Sequence, residues 1–365
     1  MKSISVGIIG TGFGGAVHAP IFQLHPGFEV KSIASVYRER TDNRTWQGIS
    51  YYRDWRCMLE SEQLDLAVIA SAPAHHYEMT MLALQSGCHV LTEKPLGMDK
   101  EQTLHMLKES ARVKRKAFVN FQWRWTPIRQ RIKLMLQSKE LGDIQHIKYT
   151  GSFSGYNMLA NSYRGWESRT EEGGGFLFAV GSHMIDSLLW WMDEEIADVY
   201  GDLRTQIPAY AGEAGLEIRD ADDAFTFTGR FRSGASLLVD VFYPGVRGTG
   251  WTLEMYGNKG TLKMRDDQIL ECSFGGSFEP IEIEPFPPPA NLEAPAIHYY
   301  NGLYQMVDAI YDSLTEHTTS ASMPQFADGH KVQAVLDAIR LSSKTHNRIL
   351  VDYGPYLELD DDKEV

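Results

Sequence analysis

Gly10-Thr11-Gly12-Phe13-Gly14-Gly15 puts glycine at all three positions of a G-x-G-x-x-G turn, directly after the apolar run Ser5–Ile9. A strand that runs into such a turn and then a helix is suited to hold a dinucleotide pyrophosphate. Gly10 permits the tight turn, Gly12 lets the backbone approach the phosphates, and Gly15 allows close helix–strand packing; Thr11 and Phe13 complete the cofactor loop. The helix start adds free N–H groups and a partial positive charge. NAD-selective folds carry Asp or Glu about 20 residues further on. Ser35 stands there instead, followed by Arg38 and Arg40. A hydroxyl and a guanidinium can pair with a 2′-phosphate that a carboxylate would repel, so NADP is favoured over NAD as the cofactor. Arg40 reads equally well as part of a solvated helix start.

Two further residues have the chemistry of proton transfer. Lys94, in Glu93-Lys94-Pro95, follows the fourth predicted strand at the edge where parallel sheets bind ligands. Oxidation of a secondary alcohol by hydride transfer needs a base for the hydroxyl proton, and partial burial brings a lysine toward working pH. His183, in Gly181-Ser182-His183-Met184-Ile185-Asp186, is placed to take the proton or orient substrate, with Asp186 three residues on. The chain has 12 histidines but no H-E-x-x-H or comparable spacing, so no metal is expected.

The elements that must position these residues change character along the chain. Apolar runs at 5–9, 30–36, 64–70, 89–92 and 117–121 alternate with helical patterns at 75–86 and 101–116, which predicts a parallel sheet covered on both faces. After residue 124 the strands at 144–156 and 196–207, and the hairpins 224–231/235–242 and 253–256/262–264, predict a mostly antiparallel sheet. A Pro-rich loop over 285–295 and helices over 299–314 and 328–344 complete the pattern. The expected class is α/β, with a dinucleotide-binding domain (1–124), an α+β domain with an open sheet (125–351) and an acidic tail (352–365).

The 365 residues carry 35 Lys/Arg against 48 Asp/Glu, a net of −13 that argues against nucleic acid or an anionic membrane as partner. Residues 1–124 nevertheless hold 15 Lys/Arg against 12 Asp/Glu, agreeing with a polyanionic cofactor there. Three scattered cysteines give no disulfide framework, and no apolar stretch approaches the ~20 residues of a membrane span. With no signal-peptide pattern at the start, a cytoplasmic protein is expected.

Taken together in this order and spacing, the glycine loop, His18, Pro73-Ala74-His75-His76, Glu93-Lys94-Pro95, Gly173-Gly174-Gly175, Gly181 to Asp186 and Asp328-Gly329 resemble the Gfo/Idh/MocA oxidoreductases from Val6 to Ile349. The resemblance implies a Rossmann domain, a second domain whose open sheet makes a homodimer or homotetramer, and hydride exchange between NAD(P) and a sugar, polyol or similar small substrate. It places Ser71, Pro73, His76, Glu93 and Lys94 on the cofactor, and implies a cis Lys94–Pro95 peptide. Arg124 and Asp186 are candidates for substrate binding, Arg124 equally for an interdomain ion pair. Trp166 falls in a substrate-covering segment with Tyr163 and Arg164, although the family's Trp-Arg is Trp166-Glu167 here. Many members carry Asp four residues before the histidine. That position is Ala179, so the acid–base work falls on Lys94, with His183 supporting. The alternative is a non-catalytic NAD(P)-binding sensor or scaffold of the same fold.

Overall fold

The computed structural model describes residues 3–37, 46, 48–316 and 318–354. Arg38, Arg40 and the acidic stretch from residue 355 onward lie outside the described residues.

The first sheet contains β1 (Ile4–Ile9), β2 (Phe28–Ala34), β3 (Ser50–Tyr52), β4 (Leu66–Ile69), β5 (His89–Thr92) and β6 (Ala117–Val119). All are parallel, in the order β3-β2-β1-β4-β5-β6, the doubly wound arrangement of dinucleotide-binding folds. Every residue of β1 and β4 is buried, as helices on both faces require. The connecting helices are α1 (Ala19–Leu24), α2 (Trp55–Ser61), α3 (His76–Gln85) and α4 (Lys100–Arg112). Asp54 and Asp99 cap α2 and α4 by accepting from the backbone N–H of Arg56 and Gln102. The helical pattern expected to run to Lys116 stops at Arg112, because Lys114 takes a left-handed conformation.

After α5 (Pro127–Gln137), the chain builds a nine-stranded sheet from β7 (Ile144–Ser152), β8 (Ile196–Arg204), β11 (Ala224–Phe231), β12 (Ser236–Phe242), β13 (Gly250–Gly257), β14 (Thr261–Arg265), β15 (Ile269–Ser273), β16 (Glu279–Pro280) and β17 (Ile349–Leu350). Its order is β16-β15-β14-β13-β7-β12-β11-β8-β17, and only the β7–β12 pair is parallel. A separate hairpin joins β9 (Ala209–Gly212) to β10 (Gly215–Ile218). Between β7 and β8 lie α6 (Tyr156–Asn161) and α7 (Ser182–Met192). The chain closes on α8 (Ala296–Glu316) and α9 (Phe326–Thr345). No helix of the described residues is long and apolar enough to cross a membrane.

One helix departs from the expected division at residue 124. Leu303, Met306, Val307 and Ile310 of α8 share a core with Val6, Ile8, Val30, Val68 and Leu91 of the first sheet. α8 therefore covers a face of the nucleotide-binding sheet rather than belonging to the second layer. The other helix, α9, lies on β8, where Ser342 and Ser343 accept from the backbone N–H of Gly201 and Leu203.

The joint between the two layers is electrostatic as well as apolar. Arg124, just past β6, is 2 % exposed and Asp186 on α7 is fully buried. The guanidinium donates three hydrogen bonds of 2.6–3.1 Å to Asp186 and one of 3.0 Å to Asp328, the residue that closes the capping box of α9. Burial pushes the Asp186 carboxyl up to about 6, against the pull of Arg124, so it is ionised at neutral pH. Breaking one side of a buried pair leaves an uncompensated charge. Arg124→Met is expected to lower stability by roughly 3–5 kcal/mol, with most of it regained in Arg124→Met/Asp186→Leu, as read from chemical denaturation.

Candidate active site

The glycine turn sits where β1 ends. Gly10 has φ +120°, and a Cβ there would lie 2.2 Å from the Ala70 carbonyl oxygen, so only glycine fits. A Cβ on Gly12 would meet nothing within 4 Å: the turn opens onto free space beside an exposed backbone. This is the cradle a dinucleotide pyrophosphate needs, and the residues present fit that group. Phe13 is edge-on to Tyr299 of α8, with ring centroids 4.9 Å apart, which walls one side of the opening.

Beside the turn, β5 ends in a buried polar cluster. His18 Nε2 and Glu93 Oε1 lie 2.8 Å apart, and Asn120 Nδ2 donates to the same oxygen. Burial would raise the Glu93 carboxyl, but the hydrogen bonds from His18 and Asn120 and the charge of Lys94 hold it below the usual range. The Lys94–Pro95 peptide is cis, and Lys94 Nζ donates to the carbonyl of Ala179 at 2.8 Å. Burial lowers the lysine pKa, with Glu93 and Glu167 pulling the other way.

His183 meets this cluster from the second layer. It occupies the first turn of α7, entered through a π-helical turn at Leu177–Gly181, is 4 % exposed, and stacks on Trp123 at 4.4 Å and 10°. Burial pushes the ring well below the ordinary histidine range, and the charges of Lys94 and Arg129 act the same way. The imidazole is therefore neutral, and its Nδ1 is buried without a hydrogen-bond partner. A neutral ring of this kind can orient a hydroxyl but is a weak resting place for a proton.

Several expected ligands are used by the protein itself. Ser35 donates to the carbonyl of Tyr37 at 2.9 Å, closing its own turn, so its hydroxyl proton is not directed at a ribose phosphate. Both ring nitrogens of His76 face backbone carbonyls, Pro95 at 2.8 Å and Ser71 at 3.1 Å, and burial lowers its pKa. It ties the end of β4 to the Lys94–Pro95 loop instead of facing a ligand. Ser71 Oγ donates to the Ala72 carbonyl, and Pro73 is buried where a Cβ on Gly173 would touch it. Arg124 and Asp186 satisfy each other, because two opposite charges buried this deeply must pair. Trp166 remains at the mouth of the cleft, 38 % exposed.

Other residues carry no signal in spacing. Asp222 accepts from the backbone N–H of Leu177 at 2.8 Å, and burial pushes its carboxyl up to about 7 against the pull of that hydrogen bond. It lines the same pocket as Ala179, although 43 residues separate the two in sequence. Asn120 follows β6, and the rule that parallel sheets bind ligands past their strand ends would have found it. Tyr37 OH lies 3.0 Å from His75 Nε2 at the end of β2, beyond the Ser35 turn.

Comparison with known proteins agrees with this geometry. The family model for the Gfo/Idh/MocA oxidoreductase family with an NAD-binding Rossmann fold matches residues 4–121, and the model for its C-terminal domain matches 129–263. An uncharacterised oxidoreductase of Synechocystis is 28 % identical over 75 % of this chain and 74 % of its own length. Levoglucosan dehydrogenase of Pseudarthrobacter phenanthrenivorans is 24 % identical, covering 93 % of this chain and 96 % of that protein. A solved structure of levoglucosan dehydrogenase with NADH and L-sorbose superposes with a TM-score of 0.84 at 21 % identity, over 96 % of this chain and 100 % of that one. With matches to both domain models, the chain belongs to the Gfo/Idh/MocA family of NAD(P)-dependent oxidoreductases.

Proposed function

We propose that this protein is an NAD(P)-dependent dehydrogenase that oxidises a secondary hydroxyl of a sugar or polyol to the ketone, or catalyses the reverse. The observation that carries the reading is Lys94: a half-buried amine held on the Ala179 carbonyl, its pKa lowered by desolvation, at the C-terminal edge of the parallel sheet and beside neutral His183. The names of relatives support the substrate class, levoglucosan dehydrogenase and the myo-inositol 2-dehydrogenase of Thermotoga maritima among them.

A bound nicotinamide supplies the acceptor for the hydride leaving the carbinol carbon. Lys94 Nζ, as the neutral amine, takes the hydroxyl proton and later passes it to water, so alcohol and oxidised cofactor become carbonyl, reduced cofactor and one proton. Glu93 stays ionised and keeps a negative charge beside the lysine, stabilising the ammonium as it forms. His183 hydrogen-bonds the reacting oxygen and holds it against the lysine. NADP is the favoured cofactor because no carboxylate stands at Ser35 and Arg38 follows it.

Lys94→Met should lower kcat by about 10²–10⁴-fold while the cofactor Kd is unchanged, measured by steady-state turnover and fluorescence titration. For the wild type, kcat/KM for oxidation should rise with pH as Lys94 loses its proton, with a midpoint below the ordinary lysine range. The reduction needs the ammonium and should fall over the same interval. A flat profile in both directions would remove Lys94 from the proton path.

Gly12→Val places a side chain in open space, so the melting temperature should hold while cofactor Kd rises by more than about tenfold. Arg38→Ala should lower the NADP/NAD affinity ratio by about tenfold; an unchanged ratio contradicts the NADP preference.

A further inference from the structure

We infer that the substrate extends beyond the sugar ring being oxidised, and that a second pyranose ring, as in a disaccharide or glycoside, lies in the pocket between Trp166, Phe176 and Tyr243. This rests on the dehydrogenase reading above and names the substrate class more narrowly.

The pocket is set apart from the reacting centre but joined to it. Neither His183 nor Trp123 lines it, whereas Ala179 does, and the Ala179 carbonyl holds Lys94 Nζ at 2.8 Å. Ala179 therefore borders both the lysine and the pocket.

Its walls have the chemistry of a carbohydrate site. Phe176 and Tyr243 stack at 4.4 Å and 24°, and Trp166 stands exposed at the rim. Aromatic faces take the C–H face of a pyranose, while its hydroxyls need a few fixed polar groups. Arg164 and Asp222 supply them: the Arg164 guanidinium, ion-paired with Glu167 at 2.8 Å, lies 5.7 Å over Tyr243, and Asp222 is anchored to the Leu177 N–H. With its pKa pushed up to about 7, the Asp222 carboxyl can donate as well as accept toward a hydroxyl.

The aromatic floor also continues between the two places. From Trp123, stacked under His183, successive ring centroids lie 5.3 Å to Trp251, 4.6 Å to Phe153, 5.5 Å to Phe176 and 4.4 Å to Tyr243. All five residues are half-buried. Phe153, Tyr243 and Trp251 lie together at one end of the central strands β7, β12 and β13. Trp123 is enclosed by His183 and by the Arg129 guanidinium 4.4 Å over its ring, so a sugar meets the row further along, toward Phe176 and Tyr243.

The test compares glucose with maltose, cellobiose and trehalose as substrates of the full-length protein with NAD and NADP. At least one disaccharide should exceed glucose in kcat/KM by about tenfold, and both Trp166→Ala and Tyr243→Ala should remove that advantage. Glucose matching every disaccharide, or an advantage that survives both variants, overturns the inference while leaving the dehydrogenase reading intact. If none of these sugars is oxidised, the dehydrogenase reading passes to its polyol substrates and calorimetry decides the pocket: a disaccharide binding more tightly than glucose, and losing this in both variants, supports it, and no such difference overturns it.

Discussion

The site depends on two layers of the fold being held in fixed relation, and the buried guanidinium of Arg124 holds them. Lys94 comes from the end of β5 and His183 from the start of α7, so neither layer contains the reaction centre alone. Arg124 reaches Asp186, three residues after His183 on the same helix, and Asp328 at the cap of α9. A charge so deeply buried is tolerated only with its partners in place, which makes the relation between the layers nearly all-or-none. The contact of Lys94 with the Ala179 carbonyl joins the same two layers.

Burial also divides the chemistry between the two candidate proton carriers. Both lose affinity for a proton on leaving water, but they differ in their neighbours. Lys94 has two carboxylates acting to restore its charge, whereas His183 faces only positive groups, Lys94 and Arg129. The lysine is thus poised to change protonation state and the histidine to remain neutral. Ala179, four residues before the histidine, acts in the same direction, since its methyl group cannot raise the affinity of His183 for a proton.

The first half of the fold was legible because its signals are local. The glycine turn, the buried runs of β1 and β4 and the helix ending before Gly87 each depend on neighbours within one element. Short or exposed elements were not: β3 and the β9–β10 hairpin are too short to show a period, and α2 repeats Trp55, Met58 and Leu59 at helical spacing over only seven residues. The site divided in the same way. Lys94 and His183 stand in recognisable local contexts, whereas Asp222 enters the pocket by folding across from another strand connection. Ser35, His76, Arg124 and Asp186 show the complementary effect: a polar residue in a plausible position was already satisfied by a partner that sequence does not place beside it.

The return of α8 to the first sheet changes what kind of object the second layer is. A sheet whose last covering helix arrives only at Ala296 is not an independent unit followed by another; eight of the nine strands of the second sheet lie between β6 and that helix, and β17 follows it. A fragment ending at residue 124 would leave Val6, Ile8, Val30 and Val68 facing water on one side. The Phe13–Tyr299 contact belongs to the same return, so one wall of the cofactor opening is made by a residue far along the chain from the glycine turn. Nucleotide binding therefore depends on a segment well beyond the first third of the sequence.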